Sequence, residues 1–171
     1  MNRAQELLAA RNLRVNKAWT EQYIGLVVQT LAPFLIKEAP VELDCRDAVD
    51  LVVYSPRITV RLRRPGYALR YPHQFTLRLR ATEKTPYCEW DKIVDGRVDW
   101  LFYGHLDENS AISHWLLVDL RRLLEAFIRG EAPYSDHDNP DTGRFRAFDA
   151  SLLPPDCLIA VHPAMPWGGA A

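Results

Sequence analysis

Seven arginines (Arg57, Arg61, Arg63, Arg64, Arg70, Arg78 and Arg80) lie between Pro56 and Thr82, a stretch with no Asp or Glu. The remaining residues hold 14 Lys and Arg against 22 acids, so one segment carries +7 and the rest −8 within a formal net charge of −1. Arginine outnumbers lysine 17 to 4. A guanidinium is a planar fork of five donors that meets phosphate oxygens two at a time, so the chemistry on offer is the grip of a phosphate-rich partner. The same fork pairs as well with carboxylates, and a solvated or self-paired face is the competing reading.

The local pattern gives these arginines a direction. From Ile58 to Arg64 the residues alternate, with Ile58, Val60 and Leu62 to one side and Thr59, Arg61 and Arg63 to the other. Phe75 to Arg80 repeats this, with Phe75, Leu77 and Leu79 inward and Thr76, Arg78 and Arg80 outward. A period of two predicts half-buried strands. Paired antiparallel, they would present one Arg and Thr patch to solvent, from which Arg61 and Arg78 could be removed without harm to the fold. The loop between them, PGYALRYPHQ, holds Arg70 and is expected to project beyond the sheet, where Tyr67, Tyr71 and His73 could stack on bases.

Other chemistry-bearing residues are sparser. Cys45, Cys88 and Cys157 are widely separated, in no zinc or disulfide spacing, and are expected to be reduced. His105 and His114 fall near strand ends as potential proton carriers, although a lone His among aromatics is usually structural. His137, among Asp136, Asp138 and Asp141, reads as an acidic solvated turn. Trp90, Trp100 and Trp115 read as core.

These residues must be held by a mixed α/β (α+β) chain. With 171 residues and 48% hydrophobic composition, one domain over 1–171 is expected: N-terminal helices in 1–40, an α/β core in 41–130, and a loop, last strand and irregular tail in 131–171. Asn16 is expected to cap a helix bearing Trp19, Tyr23, Leu26, Val27 and Leu31, which ends or kinks at Pro33. Leu51 to Tyr54 reads as a buried strand, Trp90 to Val94 as a short helix and Trp100 to Tyr103 as a strand ended by Gly104-His105. His114 to Val118 reads as another strand, followed by an Asp119-capped helix stopping at Gly130. Residues 131–144 read as loop and Cys157 to Val161 as a last strand. No apolar run approaches a membrane span, and the N-terminus lacks a secretory pattern, so a cytoplasmic protein is expected.

DCRDAVDLVVY, ITVRLRRPGYALRYPHQFTLRLR, DKIVDGRVDWLFYGH and WLLVDLRRL together resemble a family of small phage and prophage proteins. That family is associated with the PD-(D/E)XK restriction-endonuclease-like fold, and the resemblance spans roughly residues 41–162. It implies a central mixed sheet flanked by helices, in a bacterial host cell. In such nucleases an Asp and a second acid hold Mg²⁺ beside a strand lysine. By resemblance Asp50 takes the first role, as catalytic acid and metal ligand. The acidic-x-Lys strand is degenerate here, since Val60-Arg61-Leu62-Arg63 and Thr76-Leu77-Arg78 offer no carboxylate. Lys92 could replace the lysine, and Glu21, Asp44 or Glu89 the second acid. The plain reading of Asp50 is an ion pair with Arg61 or Arg63. The expectation is therefore DNA or RNA binding through Arg61, Arg63, Arg64, Arg70, Arg78 and Arg80 with degenerate or unconventional hydrolysis. The alternatives are a Mg²⁺-dependent nuclease and a phage factor that engages a host or phage protein.

Overall fold

The computed structural model describes residues 3–41, 50–80, 88–139 and 143–163, and the side chains of residues 3–10, 13 and 80 lie outside that description. Helices α1 (Arg3–Glu21) and α2 (Ile24–Leu35) lead into the short strands β1 (Ile36–Glu38) and β2 (Leu51–Val53). Then follow β3 (Ile58–Arg63), the one-turn helix α3 (Tyr67–Arg70), β4 (Gln74–Arg80) and α4 (Glu89–Val94). The remainder is β5 (Trp100–Leu106), β6 (Ile112–Asp119), α5 (Leu120–Ile128), β7 (Tyr134–Asn139), β8 (Gly143–Asp149) and β9 (Leu158–His162). The fold is α+β. No described helix is long and apolar enough to cross a membrane.

The strands form three separate sheets. A mixed sheet runs β3-β5-β6-β9, with β3 parallel to β5 and the other pairs antiparallel. A second, antiparallel sheet runs β4-β8-β7, and β1 pairs only with β2. The four-stranded sheet is apolar on both faces because each is covered. One face buries Leu62, Phe102 and Leu117 against Val27 and Leu31 of α2, with Trp19 and Tyr23 packed alongside. The other buries Leu101, Tyr103, Leu116 and Val118 against Phe75 and Leu77 of β4, Phe148 of β8, Ile93 of α4 and Leu123 of α5.

This layering overturns the expected pairing of the two arginine strands. β3 and β4 belong to different sheets, β3 pairing with β5 and β4 with β8. Ile58, Val60 and Leu62 face α2, so Thr59, Arg61 and Arg63 point toward the second sheet rather than to water. Alternation was a sound guide to the strand; it carried no information about what lay on its polar side.

Several local expectations also change. Asn16 lies inside α1, where its carbonyl accepts the Thr20 hydroxyl at 3.0 Å. Pro33 is tolerated within α2, which continues to Leu35. β5 runs through Gly104 and His105 to Leu106. Residues 51–53 do form a strand, but an exposed one, with Leu51 59% and Val53 73% accessible, since among the described residues its sheet partner is the short β1 alone. Residues 131–144, expected as loop, contain β7 and the start of β8. Their register sets Asp136 opposite Arg146 and Asp138 opposite Arg144, and the Asp136–Arg146 pair closes at 2.8 Å. Cross-strand charge pairing thus draws residues of poor strand propensity into a ladder.

The Asp119 cap is as expected, with its carboxylate accepting from Arg122 N at 3.0 Å, and Gly130 stops the helix at φ 74°. Gly104 serves packing: a Cβ there would lie 2.9 Å from both Leu62 Cδ2 and Phe102 Cε1. The Phe102 ring is fully buried and cannot retreat cheaply. Gly104→Ala is expected to destabilise the chain by about 1–3 kcal/mol, measured by urea unfolding, whereas Gly25→Ala, with open space around it, should not.

Candidate anion-binding junction

Arg61 sits where the edges of the two larger sheets meet. β4 is an edge strand, and its outward Thr76 carbonyl and Arg78 N–H have no neighbouring strand to bond. Arg61 Nη1 donates to the Thr76 carbonyl at 2.9 Å and to Thr76 Oγ1 at 3.0 Å, while Nη2 pairs with Glu89 Oε2. The same Glu89 oxygen accepts from Arg78 N at 2.8 Å. One arginine and one glutamate thus stand in for the missing strand, supplying donor and acceptor to an edge that would otherwise be open. Arg63 completes the junction, donating from Nη2 to Thr76 Oγ1 and from Nε to the Tyr103 hydroxyl, both at 2.6 Å.

The electrostatics are unbalanced. Arg61, Arg63 and Arg78 converge, and among the described residues only the Glu89 carboxylate bonds to the group. Burial, then the Arg61 charge, and less strongly that of Arg63, hold the Arg78 guanidinium below its ordinary value, while Glu89 acts in the opposite sense. A half-buried excess of positive charge is an anion-attracting field. Beside it, Arg63 opposes His105 on β5, and His105 opposes His114 on β6, so a polar row crosses the sheet. His105 is 2% exposed with neither ring nitrogen bonded in the structure. Burial, assisted by the Arg63 and His114 charges, pushes its pKa down to about 4. At neutral pH the ring is uncharged.

The expected site residues divide into three groups. Arg61, Arg63 and Arg78 are together; the Arg61 and Arg63 side chains are committed to holding the sheets, so the expectation that Arg61 is dispensable to the fold is corrected, whereas Arg78 meets Glu89 through its backbone N–H. Arg64 and Arg70 are exposed around α3, Arg64 lying over the Trp19 ring at 5.3 Å. Tyr67 and Tyr71, 45% and 47% exposed, are one helical turn apart, and Leu69 between them is 91% exposed. Arg80 has its backbone in β4, opposite Arg144, and its side chain lies outside the described residues. Arg57, from the same stretch, is bound on two sides by Asp99 at 2.8 and 3.0 Å and pins the start of β3 to that of β5.

Asp50 and Lys92 are not brought together. Asp50 precedes β2 in the ribbon attached to α2, and its carbonyl accepts from Ala39 N at 2.9 Å. Lys92 is exposed on α4, which packs on β4 in the layer across the four-stranded sheet. The expected ion pair of Asp50 with Arg61 is replaced by Glu89, a residue weighed only as a spare metal ligand. Its position in the first turn of α4 was the available signal. Glu21 is exposed beside Lys17, and Asp44 and Cys45 lie outside the described residues. Cys88 and Cys157 are buried free thiols. His137 stacks on Phe145 at 5.2 Å, its Nε2 2.8 Å from Ser135 Oγ. Among the described residues no group of three or more His, Cys, Asp or Glu is arranged to hold a metal ion.

Two outcomes are expected. Arg61→Ala leaves the Thr76 carbonyl and Glu89 without their partner and should cost about 2–4 kcal/mol in denaturant unfolding; a change below 0.5 kcal/mol would mean that the junction is not structural. For His105, both folded and unfolded chains are neutral above pH 6.5; below it the unfolded ring takes up a proton that the folded ring refuses. Stability should fall as pH drops from 6.5 toward about 4, by at most about 3 kcal/mol. His105→Leu should flatten that slope.

Compared with protein-family models, curated proteins and solved structures, the chain gives no match.

Proposed function

We propose that the chain is a nucleic-acid-binding protein of phage or prophage origin, acting in the cytoplasm of a bacterial host, whose nuclease-like framework grips a phosphate backbone without conventional hydrolysis. The observation that carries this reading is the exposed turn Arg64–Tyr71, where two arginines and two half-exposed tyrosines surround α3, backed by the undercompensated Arg61, Arg63 and Arg78 group. Backbone phosphates meet the guanidinium forks and bases meet the rings, a combination suited to single strands. Hydrolysis by Asp50 with Lys92 is disfavoured because these groups are attached to different layers.

A second reading, docking on a host protein, is favoured by the exposed apolar ribbon of Ile36, Leu51, Val53 and Tyr54. The two are separated by a salt titration of oligonucleotide binding. Arg64→Ala with Arg70→Ala, both exposed, should leave the unfolding transition unchanged, weaken binding at least tenfold and make the log–log salt slope shallower by about 1.4 for a single strand. Equal affinity in the double variant would remove this turn from the interface. No binding of any nucleic acid at low salt would leave the protein-docking reading standing.

A further inference from the structure

Next to the polar row, at the end of the four-stranded sheet, lies a cavity of about 160 Å³ lined by Pro72, His73, His114, Leu116, Val161, His162 and Pro163. Three of the chain's five histidines line it, between two prolines and two aliphatic side chains. His114 binds Ser113 Oγ through Nδ1 at 3.1 Å, leaving Nε2 for another partner. His162 stacks on Trp115 with ring centroids 6.1 Å apart, on the α2 face of the sheet, so His73 and His114 are the imidazoles on the cavity's own side. The adjacent row position is His105, buried with both nitrogens unbonded.

Size and chemistry restrict the occupant. Pockets for drug-sized ligands run from about 300 Å³ upward, so a cavity of 160 Å³ suits one planar ring. Imidazole ring nitrogens can donate or accept, matching a ring with polar groups on its edge. Two of its lining residues, Pro72 and His73, directly follow Tyr71 on the exposed turn. The row running back through His114 and His105 ends at Arg63 in the positively charged junction.

We propose that this cavity receives one pyrimidine base of a bound single strand, its faces against the proline and aliphatic walls and its polar edge on His73 and His114. This rests on the nucleic-acid reading above and adds to it a base pocket and a preference for unpaired strands, since a base within a duplex cannot enter.

The test compares a short homothymidine oligonucleotide with an abasic oligonucleotide of equal length, by fluorescence anisotropy at low salt. The wild-type chain should hold the thymidine strand about tenfold or more tightly, the order expected of one base contact. The double variant His73→Ala with His114→Ala, and separately Val161→Phe, which fills the cavity, should shrink that difference by about threefold or more, the remainder coming from stacking on Tyr67 and Tyr71. Thymidine 5′-monophosphate added to the wild-type protein should shift the imidazole proton resonances of His73 and His114, a readout that does not depend on variants folding. A base preference undiminished in both variants, or no imidazole shift with the mononucleotide, overturns the pocket. Equal binding of both strands by the wild type overturns it while leaving the backbone grip intact; binding of neither removes the underlying reading as well.

Discussion

The Arg61 guanidinium bonds at once to the Thr76 backbone, the Thr76 hydroxyl and Glu89, and in doing so closes the seam between two sheets that share no strand. An edge strand with open donors and acceptors invites pairing with another chain. Here the edge of β4 is occupied by side chains instead, with Glu89 taking the Arg78 N–H and Arg61 the Thr76 carbonyl. The fully buried Phe75 and Leu77 lie on the same strand, so the packing of one face of the four-stranded sheet depends on that seam holding.

Using arginine for this purpose leaves a residue of charge. Three guanidinium groups meet at the seam, and Glu89 is the described carboxylate bonded to them. Desolvation raises the cost of each unmatched charge, which is consistent with the lowered pKa of Arg78. An incoming anion would relieve the imbalance. The structural and binding readings of the arginines are therefore linked, since a seam made of guanidinium forks is also a source of positive potential for the turn that follows β3.

That turn has the opposite character. α3 is a single helical turn with no buried residue, preceded by Gly66 at φ 86°. It displays Leu69 and two tyrosines instead of burying them. Segments with few buried apolar contacts open at low free energy, and adaptable surfaces of this kind are where binding residues gather. Rigid seam and accessible turn are joined by Arg63, whose guanidinium lies over both the buried Tyr103 ring and the exposed Tyr67 ring at 5.3 and 5.5 Å.

What was legible in the residues alone was local. The two-residue period of Ile58–Arg63 and Gln74–Arg80, the Asp119 cap, the Gly130 stop and the α+β class each depend on neighbours within a few positions, so composition and spacing carry them. Tertiary structure decided the partners of the two arginine strands, because that choice depends on contacts between distant residues, such as Val60 with Phe102 and Phe75 with Phe148. It placed Arg61 and Arg63 against a second sheet rather than water, separated Asp50 from Lys92, and drew Asp136 into a strand through Arg146 and Arg144. Alternation fixes that two sets of side chains point apart; only the layers packed on each face determine which set meets solvent.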